Sequence, residues 1–157
     1  MDHASVIQKF YTCFANGDAD GMVACYHEQV EFKDPVFGTL KGDDARNMWR
    51  MLIERSKGGL QITTSNIEAN GLTGKANWVA VYNFGATGRK VTNRISAEFN
   101  FRDGKILRHT DHFNLWKWSA MALGIKGTLL GWTPFVQNAI QKQSLKLLES
   151  FKTRQQA

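Results

Sequence analysis

One carboxylate lies in an apolar stretch where it could act as an acid or a base. Asp34 belongs to residues 32–37, in which its neighbours are Phe, Lys, Pro, Val and Phe. Poor hydration disfavours the charged form of a carboxylate and makes it a better proton acceptor. The alternative is structural, since Asp side chains commonly accept hydrogen bonds from the backbone N–H groups of a turn. The sequence leaves both roles open for Asp34, a general base and a turn cap.

Residues 109–112, His-Thr-Asp-His, are the second place where polar side chains could do chemistry. Alternate residues of a strand share one face, so His109 and Asp111 point to the same side, about 6–7 Å apart at Cα. They could place a proton or a water against one ligand, or belong to an ordinary half-exposed strand face. The two histidines point to opposite faces, and no His or Cys spacing typical of zinc sites occurs. We predict no metal site, and no cofactor, because no glycine-rich phosphate loop or dinucleotide fingerprint is present.

Aromatic residues are frequent enough to wall a cavity for a flat, apolar ligand, with 5 Trp and 10 Phe in the chain. The candidates for substrate contact are Phe32, Trp49, Trp78 and Phe99. Packing as ordinary core is the alternative for each of them.

The elements that would position these residues change in type along the chain. Helical spacing marks residues 6–14 and 22–26, a short strand covers 30–32, and we expect Asp43 to cap a third helix. The period then changes to two, which predicts strands over residues 60–69, 76–84, 91–101 and 106–115. Short links between these strands favour an antiparallel meander. We therefore predict one α+β domain over residues 1–157, with a curved antiparallel sheet wrapped on N-terminal helices around one pocket.

The C-terminal part should be helical over residues 116–122 and 135–151. The second helix has an apolar stripe beginning at Phe135, which should dock on the body or on a partner chain. Lys117 and Lys126 interrupt the apolar stretch 113–135, so we predict no membrane-spanning helix.

Charge is unevenly distributed, with a net +6 overall and +8 in residues 80–157. Basic surface attracts anionic partners, but the lysines of the last helix are spaced as on a solvated helix face, and we predict no nucleic-acid partner. Cys13 and Cys25 fall among apolar residues and are expected to be buried free thiols. Because residues 1–20 show no signal-peptide pattern, we expect a cytoplasmic protein.

Several short segments together resemble one known group of proteins. Residues 6–10, 16–21 and 31–36 resemble the start of the SnoaL-like and ketosteroid-isomerase-like family of the nuclear transport factor 2-like superfamily, and residues 99–106 and 108–113 resemble its last two strands. The resemblance spans about residues 4–115, which leaves about 116–157 as a C-terminal helical extension. It implies a cone-shaped fold with a curved sheet around helices, open at one end, and a homodimer formed through the sheet.

The resemblance also implies roles for single residues. Asp34 falls where ketosteroid isomerases keep the general base. Their two oxyanion donors, a Tyr and a protonated Asp, fall at Phe10 and Ala97, with Tyr11 one step from the first. Phe10 and Tyr11 therefore join the substrate-contact candidates, and a steroid isomerase of the usual design is not expected.

Two related groups match the site in part. Limonene epoxide hydrolases use an Arg and two Asp, of which Arg94 and Asp111 match two, while the other falls at Ser96. In SnoaL-like cyclases a pocket carboxylate acts as acid and base, and Asp111 with His109 is the nearest match.

Three functions follow. The first is an acid/base isomerase, cyclase or hydrolase acting on a small apolar carbonyl-type substrate, with Asp34 as base and His109 and Asp111 placing a proton or a water. The second is a non-catalytic small-molecule-binding or dimerisation module, because fold does not determine function. The third, the least favoured, is a membrane-peripheral or partner-docking protein that uses its basic, Trp-rich tail.

Overall fold

A computed structural model describes residues 1–156. Three helices precede or interrupt the first strands, and three follow the sheet. In chain order the elements are α1 (His3–Ala15), α2 (Ala19–Ala24), β1 (Tyr26–Asp34), β2 (Gly38–Lys41), α3 (Asp43–Ser56), β3 (Gln61–Ala69), β4 (Thr73–Asn83), β5 (Lys90–Arg102), β6 (Lys105–His112), α4 (Leu115–Leu123), α5 (Ile125–Leu130) and α6 (Pro134–Gln156).

The six strands form one curved, unclosed sheet in the order β2-β1-β6-β5-β4-β3. Strands β3 to β6 are successive antiparallel neighbours, so the predicted meander is confirmed. One pair departs from the expected pattern, because β1 runs parallel to β6. The chain leaves β1 through β2 and α3 before it enters the meander, and parallel neighbours need a long connection of this kind. The α+β cone is otherwise as predicted.

Helix α1 lies against the concave side of the sheet. The Asp2 carboxylate accepts a hydrogen bond from the Ser5 N–H at 2.7 Å and so caps the first turn. The helix ends before Gly17, whose φ of +69° suits a residue without Cβ. Its inward face consists of Val6, Ile7, Phe10, Tyr11 and Phe14, all buried.

Strand β5 shows why one face of the sheet holds the core. Its residues alternate strictly, with odd numbers from 91 to 101 buried and even numbers from 94 to 102 exposed. Arg94 and Glu98 therefore point outward and Phe99 inward, as the sequence indicates. The outer face of β5 is polar, and the homodimer expected through the sheet stays a prediction.

Two local predictions near the site were wrong. Tyr26 is not helical: α2 ends at Ala24, and Tyr26 begins β1 because Ile106 pairs with it and donates its N–H to the Cys25 carbonyl at 2.9 Å. Asp43 is not the cap of α3, since Gly42 occupies that position without a side-chain hydrogen bond.

The C-terminal extension packs over one end of the cone. Trp118, in α4, lies with Leu115 in a second apolar cluster that includes Val91 of β5. Helix α6 contacts α3, and Lys152 pairs with Asp44 at 2.6 Å between Nζ and Oδ1.

Two features of the extension differ from expectation. Phe135 is not part of the docked stripe, because its side chain is 83% exposed, whereas Leu148 and Phe151 are buried. Helix α5 was not predicted, since its six residues are too few to show a period. No helix within residues 1–156 combines the length and the apolar character that crossing a bilayer requires.

Candidate functional site

A buried hydrogen-bonded chain runs through the middle of the cone. The Trp49 indole N–H donates to the Tyr26 hydroxyl at 2.8 Å, and that hydroxyl lies 2.8 Å from His109 Nδ1. His109 Nε2 lies 2.9 Å from Asp111 Oδ1, which also accepts the Trp78 indole N–H at 3.3 Å. Helix α3 and strands β1, β4 and β6 each supply a member, so the whole fold positions this chain.

The donor inventory assigns the protons along it. An indole N–H can only donate, so the Tyr26 oxygen accepts from Trp49 and its own O–H is free to donate to His109 Nδ1. His109 Nε2 then carries the imidazole proton, and this N–H donates a hydrogen bond to Asp111 Oδ1. Every polar group of this chain therefore has a hydrogen-bond partner.

Aromatic rings enclose the His109 side chain, which is fully buried. Trp49 stacks on it with ring centroids 5.9 Å apart, and Phe99 is 4.5 Å away. Phe10 and Phe32 approach edge-on at 5.4 and 5.1 Å. The structure thus brings four of the predicted substrate-contact residues together, and they pack around an imidazole.

Asp34 lies where β1 ends and performs the turn-capping role. Its Oδ1 accepts the N–H groups of Val36 at 3.0 Å and Phe37 at 2.6 Å. The side chain is half-buried. Burial raises the pKa of Asp34 to about 7, and the negative charge of Asp111 adds to the rise, while the two backbone hydrogen bonds oppose it. The two roles left open by the sequence are therefore compatible, because a turn cap can still exchange a proton near neutral pH.

Asp34 and Asp111 are neighbours across the parallel pair. The register joins Phe32 to His109 and Lys33 to Thr110. Asp34 and Asp111 are the next residue on each strand, and the charge of Asp111 acts on Asp34. In-register parallel strands about 4.8 Å apart point matching side chains to the same face. Two predicted catalytic carboxylates thus share the inner face, and His109 holds one of them.

Tyr11 is a further polar group at this centre. It is 1% exposed, and its hydroxyl has no hydrogen-bond partner within residues 1–156. Burial raises the pKa of Tyr11 well above its usual value, and the charge of Asp111 contributes. Its ring lies 5.6 Å from that of Trp78. An unpartnered buried hydroxyl costs stability, so this one is available to a ligand oxygen.

Sequence reasoning missed three residues of this region. Tyr26 was assigned to a helix, and only the strand pairing moves it beside His109. Tyr82 accepts the Trp118 indole N–H at 2.8 Å, and burial followed by the charge of Asp34 raises its pKa. Asn93 is a buried polar residue on the inner face of β5. Strict alternation along β5 carries the signal for Asn93; nothing in the sequence pairs Tyr82 with Trp118.

The expected apolar pocket is not established. The predicted lining residues pack against one another. A surface hollow of about 590 Å³ is lined by residues of β3 to β6, and Phe99 is the one predicted contact residue among them. Among residues 1–156, no three His, Cys, Asp or Glu side chains cluster in a way that could hold a metal ion.

The fold and this inner face define a class: an α+β cone with one acid at the end of its first strand and a second on its last strand. The family model for the SnoaL-like domain matches residues 7–109. The chain belongs to the SnoaL-like family. The extension after residue 115 lies outside the matched range. Comparison with curated proteins gives no match.

Solved structures share the fold. A "putative polyketide cyclase" from Xanthomonas campestris pv. campestris is 26% identical, with a TM-score of 0.61, over 76% of this chain and 96% of the other. An epoxide hydrolase from M. tuberculosis, described as LEH-like, is 18% identical, with a TM-score of 0.60, over 81% and 92%. A protein with a ketosteroid isomerase-like fold from Catenulispora acidiphila DSM 44928, in complex with trimethylamine, is 14% identical, with a TM-score of 0.63, over 82% and 97%.

Proposed function

We propose that this protein is an acid/base enzyme, an isomerase, cyclase or hydrolase, whose substrate is a small apolar carbonyl-type molecule. The observation that carries the proposal is the half-buried Asp34 carboxyl, whose pKa is raised to about 7 beside a second acid, Asp111. A general acid/base works best when its pKa lies near the working pH. At neutral pH, Asp34 is divided between both forms and can take a proton and return it.

The reaction step follows from these groups. The Asp34 carboxylate takes a proton from the carbon next to the carbonyl, and the C–H electron pair moves into an enolate. A tyrosine hydroxyl donates a hydrogen bond to the enolate oxygen. The candidates are Tyr11, whose buried hydroxyl has no partner within residues 1–156, and Tyr82, whose pKa is raised by the charge of Asp34. Asp34 then returns the proton to another carbon, which completes an isomerisation.

A cyclase would use the same first step. The enolate carbon attacks a second carbonyl of the same molecule and forms a C–C bond, and the new alkoxide takes the proton from Asp34. His109 acts as a positioning residue in both cases, because its Nε2 holds Asp111 Oδ1 while aromatic rings fix its own plane.

Two of the relatives support the reaction class. A polyketide cyclase description accompanies the relative at 26% identity and an epoxide hydrolase description the one at 18%. The oxyanion donors of the isomerases are replaced by Phe10 and Ala97 in this sequence, so the tyrosine hydroxyls would have to supply that hydrogen bond. Oxyanion stabilisation is usually the largest catalytic contribution.

The test uses three probes: 2-tetralone, a flat apolar ketone; dibenzoylmethane, an aromatic 1,3-diketone; and styrene oxide. Deuterium uptake next to the carbonyl is followed by NMR in D₂O, and epoxide opening by chromatography. We expect exchange to rise as Asp34 ionises near pH 7 and to fall about a hundredfold in Asp34→Asn. Asp20→Asn is the matched control, because the Asp20 side chain is 92% exposed.

Two results would count against the enzyme. Exchange that is equal in wild type and Asp34→Asn would remove Asp34 as the base. A probe that binds and is recovered unaltered, without exchange, would favour the second candidate, a non-catalytic binding module. The specific observation behind that candidate is the absence of both oxyanion donors, since Phe10 and Ala97 stand at their positions in this sequence.

A further inference from the structure

Exposed apolar side chains are concentrated on the C-terminal extension. Large hydrophobic residues that are exposed elsewhere within residues 1–156 are Met1 and Leu72. The extension carries six more, which we call the apolar patch: Trp116 (45% exposed), Ile125 (78%), Leu129 (64%), Leu130 (51%), Trp132 (59%) and Phe135 (83%). Scattered surface hydrophobics are normal, but a concentration of this kind marks an interaction site.

Short-range contacts bring Trp116, Trp132 and the residues of α5 together. The Trp116 indole N–H donates to the Thr128 carbonyl at 2.9 Å, which brings α4 beside α5. The Trp132 indole N–H donates to the Leu129 carbonyl at 3.0 Å. Ile125 and Leu129 are four residues apart on α5 and therefore share one face.

The helices beneath the patch are held closely together. Gly127 of α5 is buried, and a Cβ at this position would overlap the Ser119 carbonyl of α4. Gly131 lies equally close to the Ser119 hydroxyl. The two backbones pack without intervening side chains, so the larger side chains of α5 are directed away from α4.

The charge around the patch has one sign. Residues 112–148 contain four lysines and no Asp or Glu. Lys117 and Lys126 lie inside the patch sequence and are exposed. Lysine stems can lie along an apolar surface while their ammonium groups reach an anionic one. This combination of Trp, Phe and Leu with flanking Lys is typical of surfaces that insert into the interface of a bilayer.

We infer that the apolar patch docks on an anionic lipid surface, with its aromatic and aliphatic side chains entering the headgroup region. A second copy of the chain is the weaker candidate, because two patches face to face would bring Lys117 and Lys126 of both copies together, and residues 112–148 contain no acid to pair with them. An anionic membrane is complementary both to the charge and to the apolar side chains. This inference is independent of the proposed enzyme activity.

The experiment is flotation of the full chain with vesicles of phosphatidylcholine containing about one-third phosphatidylserine, against pure phosphatidylcholine. We expect binding to the anionic vesicles, weaker binding at high salt, and a blue shift of Trp emission as Trp116 and Trp132 leave water. Quenching by brominated lipid would place those rings in the headgroup region without requiring any variant.

Variants distinguish vesicle binding through the patch from non-specific binding. Leu129→Ser/Trp132→Ser/Phe135→Ser should lower vesicle affinity at least about tenfold, whereas Leu72→Ser, equally exposed on the β3–β4 turn, should leave it unchanged. Lys117→Glu/Lys126→Glu should abolish the preference for anionic lipid, and Lys9→Glu/Lys33→Glu should not. Circular dichroism and thermal unfolding check that each variant folds.

Two results would overturn the inference. One is the absence of flotation and of bromine quenching for wild type. The other is a concentration-dependent oligomer that the triple variant dissolves while vesicle binding is absent, which would assign the patch to a second copy.

Discussion

The Trp118 indole N–H donates to the Tyr82 hydroxyl at 2.8 Å and so ties the C-terminal extension to the end of the sheet at which Asp34 lies. Gln141 of α6 reaches the same end, where its Nε2 donates to the Phe37 carbonyl at 3.5 Å. A Cβ on Gly38 would overlap that Gln141 amide, so α6 rests directly on the turn after β1. A substrate for Asp34 would therefore have to pass beneath the extension.

Trp118→Phe should loosen the cover that the C-terminal extension forms over this end of the sheet. The variant keeps a ring in the apolar cluster but removes the N–H that Tyr82 accepts, so we expect the free energy of unfolding to fall by about 1 kcal/mol. Urea unfolding measures the loss, and hydrogen exchange should rise at residues 115–123. Trp116→Phe is the control, because its N–H bonds Thr128 outside this contact. Equal exchange in both variants would show that the Trp118–Tyr82 bond does not hold the cover.

Tyr11→Phe and Tyr26→Phe remove the same hydroxyl from two buried rings and should have opposite effects. The Tyr11 hydroxyl has no partner within residues 1–156, so its removal should leave stability unchanged or raise it by up to about 1 kcal/mol. Loss of the Tyr26 hydroxyl leaves the Trp49 N–H and His109 Nδ1 unpaired and should cost about 2–4 kcal/mol.

Chemical denaturation at one pH compares the two tyrosine variants directly. If Tyr11 donates to a ligand oxygen, Tyr11→Phe should weaken binding of a ketone probe even though the variant is at least as stable as wild type. A large loss of stability in Tyr11→Phe would show that its hydroxyl already has a partner.

Much of the fold could be predicted because burial repeats with a simple period. Strand β5 alternates over its whole length, and the predicted strand 91–101 differs from Lys90–Arg102 by one residue at each end. The parallel pairing of β1 with β6 could not be predicted, since it depends on where the chain returns after α3 and the meander. The position of Tyr26 depends on that pairing, so it could not be predicted either.

The site was predictable where one strand contains it and not where several elements meet. The shared face of His109 and Asp111 follows from alternation along β6. Whether rings such as Trp49 wall a cavity or pack around His109 is decided by the distances between elements, which residue types do not encode. Likewise, the proximity of Asp34 to Asp111 could be predicted only with knowledge of the parallel register of β1 and β6.

The expected homodimer can be tested on the outer face of the sheet. Ser96 is exposed at the middle of β5, and the outward Val79 and Val81 of β4 add apolar area nearby. Ser96→Arg would place a bulky charge at the centre of such an interface and should shift sedimentation equilibrium towards the monomer. Ala15→Arg, exposed on α1, is the matched control. Monomeric wild type at all concentrations would exclude the dimer.

The pH dependence of stability tests the burial of Asp34. Its folded pKa of about 7 lies above the ordinary value of 3.8, so the folded chain holds this proton more tightly than the unfolded chain. The contribution of Asp34 to stability is complete below about pH 4 and is lost as the pH rises through 7. Because Asp34 is only half-buried, we expect the loss to be about 1–4 kcal/mol.

Asp34→Asn should remove that pH dependence while keeping the turn, because an amide oxygen can still accept the Val36 and Phe37 N–H groups. Urea unfolding should therefore find the variant close to wild type at pH 4.5 and more stable than wild type at pH 8. Asp20→Asn should show no such divergence, since Asp20 is exposed. Parallel pH profiles for wild type and Asp34→Asn would mean that Asp34 is already ionised at neutral pH in the folded protein, and would remove its suitability as a base that exchanges a proton near pH 7.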